Sequence, residues 1–441
     1  MKKVAIFGFV HADEVIARWL KKSSENVVIY GYLLAPNAAF ESVCDRVVIL
    51  EGEILTNIAK SIVRENFDIV YLGPIPSILV CSNYLIEGGV DFLGPTISQL
   101  EYELDKSKIY EVFSSDTSIL PTAKSLTSFN ESEIFKTIDE FNRSYVLKFV
   151  GDYRKYYPES EVGRVRLSDE TISESEILDF IRNSIESSGK AILQEKISGF
   201  DFSANYLVDA KENLFSMGEN VCYKRKFDND AGPMTDGTGA YSVAGSVPFI
   251  DHEDQEAIRN IVKKFVTYVN KKTGRKFKGL LNLDLIKSYE GNLKLCEINC
   301  REAGAHTLAS LYNCLKNDFY VLLKHTFDGT LDQIQPEFNA VASVVVSAYP
   351  TYFPKDVSRE EFIQVRVSKK IPNGINLFTG WVELLNDSED FRELLLMSSP
   401  SLIFECYSDT LLNARELVYQ AIETIVPKKL IYRKDIGIIN K

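Results

Sequence analysis

The sequence has few of the residues and patterns that mark metal-rich, secreted or membrane proteins. It contains four histidines and seven scattered cysteines among 441 residues, so we predict reduced thiols rather than a zinc site or a disulfide framework. No apolar run is long enough to cross a bilayer, and the start, MKKVAIFGFVHADE, lacks a cleavage pattern for a signal peptide. We find no internal repeat, low-complexity linker or full GxGxxG fingerprint. These absences predict a cytoplasmic protein without a membrane partner.

Positive charge is also scarce. The net charge is -12, whereas binding to nucleic acids or acidic membranes requires clustered lysine and arginine, so neither partner is predicted. The hydrophobic share of 45% and the charged share of 25% are typical of soluble globular proteins. Small-molecule substrates remain the default, and the sequence does not distinguish a monomer from a homodimer.

The first ninety residues alternate between apolar strands and amphipathic helices. Strands are predicted at 4–10, 27–34, 46–50, 68–73 and 90–94, with helices between them, which indicates a small parallel α/β domain. Ligands of such sheets bind beyond the carboxyl ends of the strands. We therefore predict substrate contacts in two loops, at Gly8, His11, Gly73 and Pro74.

Pro121 and changes of pattern divide the remaining chain. We predict an N-terminal α/β domain over 1–105, a small lobe over 106–190, a large lobe over 191–330 and a C-terminal domain over 331–441. The last unit begins with the strand AVASVVVSAYP. The predicted fold class is α/β (α+β).

A hairpin near residue 290 carries the most informative polar residues. Two alternating apolar segments flank Glu290-Gly291-Asn292, and Asp284, Glu297 and Asn299 can converge because residues two apart on a strand share a face. Two carboxylates and an amide oxygen suit Mg²⁺, or Mn²⁺, bound together with phosphates. Arg301 follows with a group suited to phosphate oxygens. The alternative is an edge strand with solvated acids.

Two lysines and one strand end are candidates for nucleotide binding. Lys148 interrupts the apolar strand SYVLKFVG and Lys108 opens a helix, and each is either a phosphate ligand or a surface residue. The segment LQEKISGFD resembles a nucleotide hinge, with Asp201 as the ribose-binding acid. The alternative is a charged hairpin edge. The hinge residues are Gln194, Glu195, Lys196 and Ile197.

Glycines are dense in the segment 223–242. Such density indicates a backbone that approaches a ligand closely or adopts positive φ, although a flexible loop is the alternative. The candidate catalytic residues here are Lys224, Arg225, Asp228 and Asp230, and the candidate substrate residues are Gly237, Gly239 and, after the metal motif, His306 and Thr307. Asp228, Asp230 and His306 are considered for activating an amine.

Together these motifs resemble the ATP-grasp superfamily, and within it the glycinamide ribonucleotide synthetases (phosphoribosylamine-glycine ligases). FLGPT with LDKSK, ILPTA, QEKISGFD, KRKFDNDAGPMTDGTGAYS, EINCR and YRKDIG are each similar to segments of that family, nearly end to end. The resemblance implies an ATP-grasp fold between a pre-ATP-grasp domain and a β-rich C-terminal domain. It also places Lys108 and Lys148 at the ATP lysines.

The resemblance implies a ligase that forms an acyl phosphate from ATP and a carboxylate, with Mg²⁺, and then an amide. The acceptor end departs from the family at GFVHADE, GPIPSIL, EAGAHT and SPS, so the amine acceptor is expected to differ. The glycine-rich lid after Lys148 is also replaced, and Arg154, Lys155 or Arg164 are candidates to substitute for its phosphate contacts. An authentic phosphoribosylamine-glycine ligase and a non-catalytic nucleotide-binding protein remain as alternatives.

Overall fold

The fold is described from a computed structural model that covers residues 1–8, 12–151, 165–169, 173–355, 357–380, 382–397 and 399–438. Four residues considered above, His11, Arg154, Lys155 and Arg164, lie outside these ranges. Within them, no helix combines the length and the apolar character needed to cross a bilayer.

The N-terminal region is a parallel four-stranded sheet, as predicted. Its strand order is β3-β2-β1-β4, and buried side chains cover both faces. The strands are β1 (Lys2–Gly8), β2 (Val27–Leu33), β3 (Arg46–Ile49) and β4 (Ile69–Leu72). The helices are α1 (Ala12–Lys21), α2 (Ala38–Glu41), α3 (Gly52–Thr56), α4 (Ile58–Glu65) and α5 (Ile75–Glu87).

The prediction of a fifth strand at 90–94 was wrong. Only Leu93 pairs with this sheet, through Tyr71. The chain leaves the sheet because Gly94 has a φ of +138° and its amide donates to the Lys278 carbonyl at 2.8 Å.

A second, antiparallel sheet follows with the order β5-β8-β6-β7. Its strands are β5 (Ala123–Leu126), β6 (Tyr145–Phe149), β7 (Val165–Leu167) and β8 (Ala191–Glu195). Helices of this part of the chain are α6 (Ile97–Leu104), α7 (Lys108–Val112), α8 (Glu131–Glu140) and α9 (Glu174–Ser188). Apolar residues of α8 and α9 share one core with this sheet.

The largest sheet has nine strands and carries the hairpin. Its first five strands in chain order are β9 (Gly199–Val208), β10 (Leu214–Phe227), β11 (Ala231–Val243), β12 (Gly279–Ser288) and β13 (Leu293–Asn299). Its helices are α10 (His252–Thr273), α11 (Ala305–Leu311) and α12 (Phe319–Asp328). Apolar residues of α10 pack on one face, while those of α11 and α12 share a core with α1. The N-terminal sheet and the hairpin strand β12 therefore meet at α12, which contacts both β4 and β12.

The C-terminal strands continue the same sheet. Its order is β13-β12-β9-β10-β11-β14-β19-β16, with β20 on β14, so the sheet is continuous across residue 331. A three-stranded sheet, β15-β18-β17, lies beside it. The elements are β14 (Ala342–Pro350), β15 (Ile363–Ser368), β16 (Ile375–Thr379), β17 (Val382–Asp387), β18 (Phe391–Leu396), β19 (Leu402–Ser408), α13 (Leu411–Ile425) and β20 (Leu430–Ile431).

Candidate active site

The hairpin of β12 and β13 brings the predicted oxygen ligands together. Asp284 pairs directly with Glu297 across the two strands, and Asn282 pairs with Asn299. The register shifts by one residue beyond Asp284, which leaves Cys296 as an extra residue in β13. Asp284, Glu297 and Asn299 consequently lie on one face, as the two-residue period predicts.

Three lysines from separate elements converge on this face. Lys224 of β10 forms an ion pair with Asp284, with Nζ 3.0 Å from Oδ2, and Lys106 forms one with Glu297. Lys148 of β6 is buried, and its Nζ donates to the Cys296 carbonyl at 3.0 Å. Lys148 adds a third ammonium group to the two that are paired with carboxylates, and such a concentration of cations suits a polyphosphate.

The ion pairs keep both carboxylates ionised. Burial opposes ionisation of each, but Lys224 holds the pKa of Asp284 below its ordinary value, and Lys106 does the same for Glu297. Burial lowers the pKa of Lys148, although Glu297 opposes this shift.

The donor set fits a hard divalent cation. Asp284, Glu297 and Asn299 offer two carboxylates and an amide, and the paired ammonium groups show that cations are accepted at both carboxylates. Within the described ranges no cluster of three or more His, Cys, Asp or Glu side chains could hold a metal, so this mixed set is the candidate. All seven cysteines are free thiols.

Lys108 does not join this cluster. Its Nζ lies 2.5 Å from Glu101 Oε2 and 5.2 Å from the centre of the Tyr102 ring, at the start of α7. Lys106, two residues earlier, reaches Glu297 instead. Sequence reasoning overlooked Lys106, although the pair of lysines in LDKSK was visible.

The proposed hinge lies at the end of β8. Gln194 is buried, and its Oε1 accepts from the Tyr110 hydroxyl at 3.4 Å. Glu195 and Lys196 are engaged by protein groups: Glu195 Oε1 accepts from the Thr122 amide at 2.6 Å, and Lys196 Nζ lies 2.7 Å from Asp169. Ile197 is half-buried and Asp201 is exposed on β9. The structure therefore leaves the Asp201 carboxylate accessible.

The acids near the tip of the β10–β11 hairpin contact the C-terminal segment. Asp228 Oδ1 accepts from the Lys434 amide at 2.7 Å, and Asp230 Oδ1 from Arg433 Nη1 at 2.7 Å. Arg433 is fully buried and also binds Asp435. Asp228 and Asp230 thus anchor residues 433–435 and are not brought to Glu297, because the turn directs them towards this segment.

The neighbouring basic residue, Arg225, also has protein partners. Its Nη2 donates to Asp169 Oδ1 at 2.8 Å, and its Nη1 donates to the Gly232 carbonyl at 2.7 Å. Lys224 is therefore the member of the basic pair whose side chain joins the cluster through Asp284.

Beyond β13, Arg301 contacts α6 and Glu302 contacts β4 of the N-terminal sheet. Arg301 Nε donates to Glu103 Oε1 at 2.9 Å. Glu302 is buried, its Oε2 accepts from the Tyr71 hydroxyl at 2.6 Å, and its Oε1 has no hydrogen-bond partner among the described residues. A Cβ on Gly73 would lie 2.3 Å from Glu302 Oε2, so the β4 end approaches this carboxylate closely.

The other loop at the carboxyl ends of the parallel strands is also acidic. A Cβ on Gly8 would lie 3.2 Å from Asp13 Oδ2 and closer still to the Phe40 ring. Asp13 is buried in the first turn of α1, and Pro74 precedes α5. Sequence reasoning overlooked Glu302, whose signal was an acid directly after the metal motif.

The glycines of β11 are explained by protein contacts. Gly237 has a φ of +116°, and a Cβ there would lie 2.0 Å from His306 Cε1. A Cβ on Gly239 would lie 2.6 Å from the Val345 carbonyl of β14. His306 and Thr307 are both buried in α11, and Thr307 Oγ1 lies 3.1 Å from Cys222 Sγ. The structure brings Gly237 and His306 together, next to β11.

Comparison with known proteins identifies relatives of this arrangement. Residues 116–307 match the family described as phosphoribosylglycinamide synthetase, ATP-grasp (A) domain. A phosphoribosylamine-glycine ligase of Methanosarcina barkeri is 22% identical over 437 residues, covering 99% of this chain and 96% of that protein. One from Caldanaerobacter subterraneus is 29% identical over 248 residues, covering 56% of each.

Solved structures share the fold. The phosphoribosylamine-glycine ligase of Thermotoga maritima matches with a TM-score of 0.73 at 19% identity, covering 98% of this chain and 99% of that one. The biotin carboxylase domain of Hydrogenobacter thermophilus 2-oxoglutarate carboxylase matches with a TM-score of 0.67 at 16% identity, covering 98% and 91%. These matches confirm the ATP-grasp fold that the motifs predicted.

Proposed function

We propose that this chain, whose residues 116–307 match the phosphoribosylglycinamide synthetase ATP-grasp domain, is an ATP-dependent carboxylate-amine ligase that releases ADP and phosphate. The observation that carries the proposal is the convergence of Lys106, Lys148 and Lys224 on the face that holds Asp284 and Glu297. Such a cluster matches the charge requirements of phosphoryl transfer, in which catalysis depends on positioning and electrostatic stabilisation.

The proposed reaction has two steps. A substrate carboxylate oxygen attacks the γ-phosphorus of ATP, the bond to the β,γ-bridging oxygen breaks, and ADP leaves with that electron pair. The amine nitrogen then attacks the carbonyl carbon of the acyl phosphate, phosphate leaves with the C–O electron pair, and the nitrogen releases a proton. No nucleophile from the protein is required.

The lysines would stabilise the charge on the phosphoryl oxygens. Lys148 is held at the edge of the site by the Cys296 carbonyl, and Lys224 and Lys106 are held by the two carboxylates. Bound Mg²⁺, or Mn²⁺, would neutralise part of the phosphate charge, with ligands from Asp284, Glu297 and Asn299. Adenine would bind at the end of β8, residues 194–197, and the exposed Asp201 carboxylate would bind the ribose hydroxyls.

The acceptor is proposed to be an amine without a phosphate group. The loops that begin at Gly8 and Gly73, GFVHADE and GPIPS, contain no lysine or arginine. In the described part of this region the buried carboxylates of Asp13 and Glu302 lie close to the same two glycines. The Oε1 of Glu302, which has no partner among the described residues, can accept an N–H, whereas a phosphate would meet no lysine or arginine in these two loops. A cationic or neutral amine therefore suits this end better than phosphoribosylamine.

A phosphoribosylamine-glycine ligase is the second candidate. It is favoured by the relatives that align over nearly the whole chain and carry that name. Arg301, whose guanidinium lies between Glu103 and Glu302, would then be the group available for the substrate phosphate.

The test is release of ADP and phosphate from Mg-ATP. One arm supplies glycine with freshly prepared phosphoribosylamine, and the other supplies panels of amino acids and phosphate-free amines. We expect turnover in the second arm and its loss in Glu297→Gln, while Glu290→Gln, an exposed acid of the same hairpin, keeps wild-type turnover.

Each alternative has its own outcome. Turnover confined to the phosphoribosylamine arm would support the second candidate. ATP binding without turnover in either arm, unaffected by Glu297→Gln, would instead support a non-catalytic nucleotide-binding protein.

A further inference from the structure

Four buried asparagines form a hydrogen-bonded series across neighbouring strands of the large sheet. Asn299 Nδ2 donates to Asn282 Oδ1 at 3.0 Å, Asn282 Nδ2 donates to Asn205 Oδ1 at 3.0 Å, and Asn205 Nδ2 donates to Asn220 Oδ1 at 3.1 Å. The series runs from β13 through β12 and β9 to β10. One end is therefore the amide at the candidate metal site.

The direction of the series is fixed by a main-chain group. Asn205 Nδ2 also donates to the Gly218 carbonyl at 3.2 Å, and a carbonyl can only accept. Asn205 must therefore turn its Oδ1 towards Asn282. Asn282 must therefore donate its Nδ2 to that oxygen, which leaves its own Oδ1 to accept from Asn299. Asn299 then presents Nδ2 to Asn282 and directs Oδ1 to its other side.

The far end of the series returns to the metal site. Asn220 Nδ2 donates to Cys222 Sγ at 3.1 Å, and this sulfur lies 3.6 Å from Ser203 Oγ. Ser203 Oγ donates to Asp284 Oδ1 at 2.9 Å. Two of the three candidate metal ligands, Asn299 and Asp284, are thus tied to one buried network.

We propose that Asn282 and Asn205 are positioning residues, which make Asn299 present its oxygen rather than its NH₂ group to the metal. The inference rests on the proposed function, because it assumes a divalent cation at Asp284, Glu297 and Asn299. An amide nitrogen directed at a cation would be repelled, so a network that excludes the reversed amide raises the affinity for metal. Removing hydrogen-bond partners of metal ligands typically weakens metal affinity about 10- to 100-fold.

The test removes the hydrogen bonds and measures metal binding directly. Asn282→Leu keeps the branched shape of the side chain without its polar atoms. Asn282→Asp keeps an oxygen acceptor for Asn299 Nδ2. Asn313→Leu is the matched control, because Asn313 is also buried and hydrogen-bonded, but its side-chain partners are Glu405 and Lys22, outside the series. Mn²⁺ is titrated into the ADP complex and followed by the electron paramagnetic resonance signal of free Mn²⁺.

We expect Asn282→Leu to weaken Mn²⁺ binding about 10- to 100-fold and to raise the apparent KM for Mg²⁺. Asn205→Leu should also weaken Mn²⁺ binding and raise the apparent KM for Mg²⁺. Asn282→Asp should stay closer to wild type in both quantities, and Asn313→Leu should bind Mn²⁺ with wild-type affinity. If Asn282→Leu does not fold, Asn282→Ala makes the same test.

Two results would overturn the inference. Wild-type Mn²⁺ affinity in Asn282→Leu, with loss of affinity in Glu297→Gln, would refute positioning by Asn282 while leaving the metal site intact. Equal Mn²⁺ binding by wild type and Glu297→Gln would refute the metal site itself, and with it the proposed function.

Discussion

Glu219 is a buried acid for which the described part of the chain provides no balancing cation. It lies on β10 and is 2% exposed. Burial raises its pKa from 4.5 to about 7, and the groups that oppose this rise, Gln255, Ser246 and its own amide, are neutral. Gln255 Nε2 donates to Oε2 at 3.3 Å, a long hydrogen bond. Folding therefore favours the protonated form, and ionisation of Glu219 weakens the folded state.

The sign and size of the effect follow from linkage. A raised folded-state pKa means that the contribution to stability is complete below pH 4.5 and is lost as pH rises through about 7. A shift of about 2.5 pH units corresponds to about 3 kcal/mol at 1.36 kcal/mol per unit. Glu219→Gln replaces the carboxyl by a neutral group of the same shape. It should therefore be more stable than wild type by up to about 3 kcal/mol at pH 8.5 and equal to it near pH 4.5.

The assay is thermal and urea unfolding of both proteins between pH 4.5 and 8.5. Glu212→Gln is a control of opposite sign. The pKa of Glu212 is lowered to about 2 by Lys276, Asn270 and Thr267, so this variant should lose stability at neutral pH. Parallel stability profiles for wild type and Glu219→Gln across the range would refute the assignment of an uncompensated buried acid.

Three further predictions concern the site and its support. Lys148→Met should lower kcat about 100-fold, as expected for loss of a charge that acts on the transition state, while Lys108→Met should retain kcat because Lys108 pairs with a surface acid; equal losses would contradict the geometry. Arg433→Leu should lose about 1–3 kcal/mol of stability in urea unfolding, because the buried guanidinium no longer donates to Asp230, Asp435 and the Arg225 carbonyl, and an unchanged midpoint would refute this. Gly237→Ala should lower the melting temperature, since its Cβ would overlap His306 and its φ of +116° is unfavourable for alanine. An unchanged melting temperature would contradict both reasons.

Local patterns were sufficient to predict the strands that carry the candidate metal ligands. The hairpin follows from two alternating segments around Gly291, whose φ of +87° favours glycine. Once the hairpin is accepted, the pairing of Asp284 with Glu297 needs only the two-residue period of a strand. The parallel N-terminal sheet follows in the same way from alternation of strands and helices.

Long-range contacts and turn geometry could not be predicted. The partners of Asp228 and Asp230 are Lys434 and Arg433, about two hundred residues later in the sequence. No local pattern predicts these contacts. The direction in which a side chain points at a turn is likewise not predicted by the local sequence. Asp105 binds Ser107 and the Lys190 ammonium group, and this turn sends Lys106 rather than Lys108 towards the site.

Charge balance at the site connects the lysines with the metal. Lys106 forms an ion pair with Glu297, and Lys224 forms one with Asp284. A divalent cation that binds these carboxylates therefore displaces two ammonium groups. With Lys148 nearby, three freed or unpaired positive charges would then surround a dication, which is unfavourable unless an anion enters as well. Under the proposed function the phosphates of ATP would supply that charge and accept hydrogen bonds from the displaced lysines. We therefore expect metal and nucleotide to bind together, because each removes the repulsion that the other would meet alone.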